Sequence, residues 1–432
     1  MKKTLARMSP VRLIALGFLA VILLGSVILV LPISVKEGVS LSYIDALFTA
    51  TSAVCVTGLS TVDAGSTFSV FGQIALAVLI QIGGLGVATL GAGLIMAMGM
   101  KIDLRGRNLL GEALNFSNGG EIVKLLKSAL IITFVCEAIG AVLSFAVFIR
   151  DYSFWRAIGL SVFHSISSFN NAGFDLLGLG TSLEPYRNDV LFNVTTMMLI
   201  VIGGIGFLVI RDIGKNRFNI KKYSMHTKVV LSVSASLIVV GAIILKFTDN
   251  ISWLEAIFTS VSTRTAGFAT RSISDFSAAG LMTMIVFMLV GASPGSTGGG
   301  IKTTTAFVLL KGIMASATNK SEKAFKYAIP RDAFKKAAVI FSMALTLIAG
   351  STLLILMLQP DLAMSDVLYE MTSAYATVGL STGITSSLST ASKLVTSAMM
   401  YIGRLGPLTI ASLWYFSRGE RVRFPDGNIA IG

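Results

Sequence analysis

A short tract closing on one glycine occurs four times in this chain: TSAVCVTGL (51–59), FNNAGF (169–174), TRTAGF (263–268) and YATVGL (375–380). The anchor glycines Gly58, Gly173, Gly267 and Gly379 are spaced 115, 94 and 112 residues apart. Each lies between two apolar stretches long enough to cross a bilayer. Non-helical backbone at membrane depth is tolerated only where it is buried in protein or lines a water-filled path. Four such loops in one chain can meet around one axis and offer a ring of carbonyl oxygens to an ion.

The spans themselves follow from composition. The 432 residues are 54% hydrophobic and 13% charged, with mean hydropathy +0.80, whereas a soluble domain carries about a quarter charged residues. No soluble domain of roughly 100 residues is expected between the apolar runs. These fall at about 13–33, 68–98, 128–149, 188–210, 229–247, 278–310, 337–358 and 393–416. The first run lacks a small-residue cleavage site and reads as a retained helix instead of a signal peptide. Of 35 Lys and Arg, 25 cluster in residues 1–12, 101–127, 211–228, 311–336 and 418–423. Such an excess marks the cytoplasmic side, which places both termini inside a cell membrane and all four glycine loops outside. The basic residues are divided among short loops, a distribution that does not suit nucleic-acid binding.

The expected fold class is an all-α membrane protein. Four pseudo-symmetric helix–pore-loop–helix repeats, comprising eight transmembrane helices plus four re-entrant pore helices, surround a central ion pore. The repeats are parallel, not inverted. Their expected limits are 1–98 (pore loop 45–60), 99–212 (pore loop 158–175), 213–314 (pore loop 254–269, gate loop 291–305) and 315–432 (pore loop 365–381, with the C-terminal tail). Asp45 and Asp366 each precede their loop glycine by 13 residues, well placed to cap or charge-stabilise a short helix N-terminus. The opposite, partly negative helix end would then aim at the axis, where a cation is stabilised. The second apolar segment of each repeat carries its own small-residue cluster: GGLG (83–86), GGIG (203–206), GASPG (291–295) and GRLG (403–406). These follow the loop glycines by 25, 30, 24 and 24 residues. Small residues pack helices closely in membranes, but the near-constant offset favours a shared break or close approach.

An ion that sheds water needs oxygens at fixed positions, and glycine permits the backbone angles that present them. The expected ligands are carbonyls around Val56, Thr57 and Gly58; Asn171, Ala172 and Gly173; Thr265, Ala266 and Gly267; and Thr377, Val378 and Gly379. No acidic residue occupies these positions, which argues against a carboxylate ring. The third inner segment departs from its siblings as GASPGSTGGGIKTTT (291–305). Its proline and glycines cannot sit in an unbroken helix, so Gly295, Ser296, Thr297, Gly298, Gly299 and Gly300 should form an irregular intramembrane stretch able to act as a gate. A phosphate-binding loop needs glycine directly before its lysine; here Ile301 separates Gly300 from Lys302. Lys302 and Arg404 are charges in apolar surroundings, a context that points to a pathway. One reading makes them a positive barrier to a cation. The other has them snorkel or pair with a carboxylate such as Glu112 or Asp212. Arg264 should brace the third loop, His164 should be structural and His226 should lie on the surface. Cys55 and Cys136 read as small buried hydrophobes. No His/Cys cluster has metal-ligand spacing, and no Ser-His-Asp grouping suggests an enzyme.

With these residues in view the chain resembles the Trk/Ktr/HKT superfamily of potassium transporters, in particular the KtrB-like (KtrB/KtrD) membrane subunit. The resemblance rests on VTGL (56–59), NNAGF (170–174), RTAGF (264–268), TVGL (377–380), GSTGGGIK (295–302), GRLGP (403–407) and FPDG…G (424–432). It implies four helix–pore-loop–helix repeats around one pore per subunit, with K⁺ as the transported ion at the loop carbonyls. It implies a homodimer with the residues near Gly432 at the contact. It further implies a cytosolic RCK/KTN (KtrA/KtrC-like) regulatory ring on the basic inner face, through which alone a nucleotide (ATP/ADP) would act. By the same resemblance residues 291–305 are the gate loop with Arg404 beside it, and Na⁺ stimulates transport. The leading expectation is a channel-like potassium uptake subunit in the lipid membrane. The alternative is a stoichiometrically coupled Na⁺/K⁺ or H⁺/K⁺ symporter, which would place an acid within the spans; Glu137 and Glu370 are the candidates.

Overall fold

A computed structural model describes residues 10–87, 89–92, 122–217, 219–330, 332–407 and 409–410. Glu112, most of the 101–127 basic cluster, the 418–423 cluster and the FPDG…G tail with Gly432 lie outside the described residues. Among the described residues the fold is helical apart from a small hairpin, Lys323–Ala324 paired with Tyr327–Ala328.

One order of elements occurs four times. A long apolar helix comes first: α1 Pro10–Val30, α4 Ile122–Phe148, α8 Met225–Asp249 and α12 Ala333–Leu358. A short helix follows: α2 Tyr43–Cys55, α5 Phe154–Phe169, α9 Trp253–Ser262 and α13 Met364–Ala376. At 13, 16, 10 and 13 residues these are too short to span. After the glycine loop the chain enters α3 Val70–Leu85, α6 Val190–Ile205, α10 Ala278–Leu289 and α14 Thr390–Leu405. Each of these four starts at a residue whose side chain accepts a backbone N–H one turn on: Ser69, Asp189, Ser277 and Ser389. Such caps satisfy orphan amides and stabilise a helix start by about 1 kcal/mol each. The first and third short helices are capped likewise, by Ser42 and by a Ser252–Glu255 capping box. Asp45 is therefore a first-turn acid behind its Ser42 cap, and Asp366 is a first-turn acid in a helix with no side-chain cap.

The short helices are the interior of the molecule. Phe48, Phe258, Tyr369 and Tyr375 on them are almost fully buried. The long helices bury one stripe and expose apolar side chains such as Leu24, Val142, Val239 and Leu353 on the other. Acyl chains satisfy such a surface; water does not.

The inner spans break at their glycine clusters. Among the described residues four helices are long and apolar enough to cross a bilayer unaided. The expected spans 68–98, 188–210 and 393–416 stop being straight at Gly86, Gly206 and Gly406, whose φ values of +85°, +92° and +87° are incompatible with continued helix. After Gly206 the chain re-enters helix as α7 Phe207–Asn216, bent by 96°. In the third repeat the break is longer, from Val290 to Lys302, and helix resumes as α11 Thr303–Thr318. The glycine clusters thus carry the shared break that their offset suggested. They also carry a close approach. A Cβ on Gly83, Gly203 or Gly403 would overlap the carbonyl of Val54, Phe169 or Tyr375, each four residues before its loop glycine.

Candidate functional site

The four glycine loops meet. A Cβ built on Gly58 would lie 2.7 Å from Ala172 O, and one on Gly173 would lie 2.8 Å from Ala266 O. On Gly267 and Gly379 it would overlap Val378 O and Thr57 O. Each glycine thus faces the loop of the next repeat, and the fourth faces the first, so the ring closes in chain order. Contacts outside the loops close the same ring. Gly180 N donates to Asp63 at 2.8 Å, Arg187 pairs with Glu255 at 3.0 Å, the Tyr369 hydroxyl meets Met284 Sδ, and Lys393 on α14 pairs with Asp45 on α2 at 2.7 Å.

Within each loop the backbone alternates in hand. The glycines have φ of +96°, +70°, +80° and +95°, and the residues two before them, Val56, Asn171, Thr265 and Thr377, have φ of +56°, +59°, +69° and +52°. Ala172, Ala266, Thr57 and Val378 between them keep negative φ. A β-branched residue in the left-handed region is an outlier, costs on the order of 1–3 kcal/mol and persists only where its surroundings over-determine it. Here serines hold it. Ser52 Oγ and Ser373 Oγ, six residues before the glycine, accept the N–H of Gly58 and Gly379 at 3.0 Å each, and Ser167 Oγ accepts that of Phe174 at 3.0 Å. In the third repeat Ser262 donates instead to Phe268 O. The serine at −6 recurs in the first, second and fourth repeats, and in the third the serine stands at −5. The left-handed Val and Thr positions carry no sequence signal.

All four glycines line one cavity of about 400 Å³ on the side of the loops' C-terminal arms. Its charged lining is Asp63, Asp175 and Glu184, with no Lys or Arg. Burial, with Asp63 nearby, pushes the Asp175 carboxyl up to about 6 against the Leu177 N–H that favours its charge. This acid-lined vestibule, absent from the sequence-based expectations, raises the local concentration of cations.

Beneath the ring lies the 291–302 stretch. Gly299 N donates to Thr377 Oγ1 at 2.9 Å, and Thr297 Oγ1 donates to Phe169 O at 3.3 Å. A Cβ on Gly298 would overlap Thr265 Oγ1, so this glycine lets the backbone run directly under a ring residue. Thr297 N reaches Gly203 O, Ser293 N reaches Gly204 O, and Phe207 N reaches Gly295 O at 2.9 Å. The stretch is thereby pinned to the second repeat and to the undersides of the third and fourth loops. Lys302 Nζ folds back onto Gly298 O at 2.7 Å. Arg404 donates to Thr297 O and to Gly83 O and Gly84 O, joining the stretch to the first repeat. Both cations, with Gly295, Ser296 and Gly298, line a second cavity of about 190 Å³. No carboxylate pairs with either among the described residues. Asp212, one expected partner, is taken by Thr227 Oγ1 at 2.6 Å, Ser224 N and Asn216.

Arg264 is buried and reaches Ser234 O at 3.4 Å. His164 is buried, bonded to Thr196 Oγ1 at 2.9 Å and stacked on Phe192. His226 departs from its expected surface position: it sits in the first turn of α8, half-buried. Cys55 is buried and Cys136 half-buried, both free. Glu137 Oε1 accepts from Asn170 Nδ2 at 3.0 Å, and Glu370 is buried behind the fourth loop. No group of three or more His, Cys, Asp or Glu suited to a metal ion gathers among the described residues.

A protein-family model described as a cation transport protein, TrkH, matches residues 15–232 and 226–416. The chain is 37% identical to the potassium/sodium uptake protein NtpJ of Enterococcus hirae, over 100% of this chain and 99% of that protein. It is 35% identical to the Ktr system potassium uptake protein B of Bacillus subtilis, over 99% and 97% of the two chains. Among solved structures, the potassium transporter TrkH from Vibrio parahaemolyticus superposes with a TM-score of 0.71, over 92% of this chain and 84% of that one. At 18% identity that likeness speaks for the fold alone. By the family match and by two relatives of nearly equal length, the chain belongs to the TrkH family of cation transport proteins.

Proposed function

We propose that the protein is the channel-like translocating subunit of a Ktr-type potassium uptake system. The observation that carries this reading is the closed ring of four glycine loops under an acid-lined vestibule. Carbonyls of residues 56–58, 171–173, 265–267 and 377–379 replace the water of a potassium ion entering from outside. The short helices point their C-terminal ends at the ring and add negative potential there. Potassium is named for both relatives, together with sodium for the first.

Residues 295–300 act as the gate. They lie under the ring, and Arg404 and Lys302 oppose a cation in the cavity below it. A gate held by hydrogen bonds to carbonyls and hydroxyls is open to displacement from the inner side. There the basic 211–228 and 311–336 stretches would dock a KtrA/KtrC-like cytosolic ring that senses a nucleotide. Both termini are cytoplasmic, and two copies form the working unit.

The second reading, coupled symport, draws on the buried acids Glu137 and Glu370. Flux into proteoliposomes under imposed K⁺, Rb⁺ and Na⁺ gradients separates the two. Channel-like conduction reverses at the K⁺ equilibrium potential whatever the Na⁺ or H⁺ gradient. A reversal potential that moves with either gradient in fixed proportion establishes coupling.

A further inference from the structure

Two cations share one enclosed space beneath the ring. Lys302 and Arg404 both line the cavity of about 190 Å³, and among the described residues neither has a carboxylate partner. Their neighbours are carbonyls: Gly298 O and Gly299 O for the lysine, Thr297 O, Gly83 O and Gly84 O for the arginine. A carbonyl satisfies a donor but does not cancel a charge, and an uncompensated charge away from water is costly. An ammonium has three N–H donors and a guanidinium five, so these bonds leave donors over on both side chains.

The backbone adds to this positive potential. Each inner segment breaks at its glycine cluster and then enters helix again. Leu90 N–H returns to Gly86 O, Ile210 N–H to Gly206 O, Ala306 N–H to Lys302 O and Ile410 N–H to Gly406 O. Gly86, Phe207, Lys302 and Leu405 bring these four helix starts to the wall of the same cavity. The N-terminus of a helix is its positive end and favours an anion. A further group points to a ligand. Thr89 also lines the cavity, is only 1% exposed, and its Oγ1 has no hydrogen-bond partner. A buried hydroxyl without a partner is costly. Much of the remaining wall is apolar, with Ile14, Phe18 and Leu85.

We infer that this cavity is a site for a chloride-sized monovalent anion, held by Lys302, Arg404 and the Thr89 hydroxyl. Such an ion cancels part of the buried charge and gives the hydroxyl its acceptor. A doubly charged oxyanion would leave more of its own oxygens unpaired against the apolar part of the wall. The site exists while Arg404 and Lys302 hold residues 297–299 beneath the ring, and a ligand favours the arrangement it binds. An anion in the cavity therefore favours the closed stretch. That consequence rests on the reading of residues 295–300 as the gate; the site itself does not, and its test reads anion binding and not potassium flux.

The test is a crystal of the full-length protein grown with bromide as its halide and measured at the bromine absorption edge, together with ³⁶Cl⁻ binding to the purified protein in solution. An anomalous peak in the cavity, within reach of Lys302 Nζ, the Arg404 guanidinium and Thr89 Oγ1, is the expected result. In solution chloride should bind and bromide should displace it. Arg404→Gln and Lys302→Gln should each weaken chloride binding by roughly tenfold or more. Thr89→Val leaves both cations in place and serves if those variants fail to fold; about tenfold weakening is expected from the lost hydrogen bond to a charged partner. A cavity without bromide, chloride binding that survives all three changes, or sulfate that displaces chloride as readily as bromide does overturns the site. Deletion within 295–300 that leaves potassium flux unchanged while the bromide peak stands overturns the gate instead, and the two failures are therefore distinguishable.

Discussion

At Gly379 a side chain would have to share space with the Thr57 carbonyl of the first repeat, and at Gly58 with that of Ala172. The positive φ at each loop glycine adds a backbone cost of about 1–2 kcal/mol for any L-residue. Since about 1.4 kcal/mol is tenfold in affinity, Gly→Ser at any one of Gly58, Gly173, Gly267 or Gly379 should weaken K⁺ affinity tenfold or more. Competition of K⁺ against ⁸⁶Rb⁺ uptake reads this directly, and unchanged kinetics in all four variants would contradict the ring. Asp175 offers a second residue-scale check. Its carboxyl titrates at about 6, outside the spanning helices. Below that pH it is neutral and the vestibule loses a negative charge; above it the charge is present. Apparent K⁺ affinity should therefore improve as external pH rises through about 6, and Asp175→Asn should remove that step. The loop glycines were legible in the sequence because only glycine serves where a neighbouring backbone leaves no room. Their left-handed partners were not. Val56, Thr265 and Thr377 are β-branched types that local preference assigns to extended chain, and serine bonds to the loop backbone hold them against it.

Elements differ in how much of them the sequence revealed. The long helices were plain from hydropathy, and their ends lie within six residues of expectation. A break in each inner helix was expected at its glycine cluster, but a hydropathy window reads composition and not φ, so the angle of the break was not legible. Their breaks at Gly86, Gly206 and Gly406 follow from backbone angles that the GGxG and GRLG clusters allow but do not require. The 291–302 stretch was legible because proline with several glycines excludes helix outright. What it touches was not. Its bonds run to Thr377, Phe169, Gly203 and, through Arg404, to Gly83, partners 78 to 214 positions away in the chain. Arg404→Gln removes the charge and the guanidinium bonds that tie the stretch to the first repeat. Proteoliposomes carrying that variant, or a deletion within 295–300, should conduct K⁺ faster than the parent in the absence of any cytosolic partner. Equal rates with equal protein incorporated would dismiss the stretch as a gate.

For the whole molecule, four quarters of one chain close the kind of ring that four identical subunits would close in a symmetric assembly. The sequence disclosed that there are four quarters. It did not disclose that they close in the order one, two, three, four, since no single residue encodes a contact between Gly379 and Thr57. One consequence is that the quarters need not be alike. The Lys393–Asp45 pair joins the inner helix of the fourth repeat to the short helix of the first, and the third repeat lends the underlying stretch. The central claim is that main-chain oxygens from all four quarters share one dehydrated alkali cation. Crystals of the full-length protein grown with Rb⁺ and measured at the rubidium absorption edge test it most directly. An anomalous peak is expected on the axis, within coordination distance of carbonyls in 56–58, 171–173, 265–267 and 377–379. Rubidium bound elsewhere, with the space between the four loops empty, would contradict it.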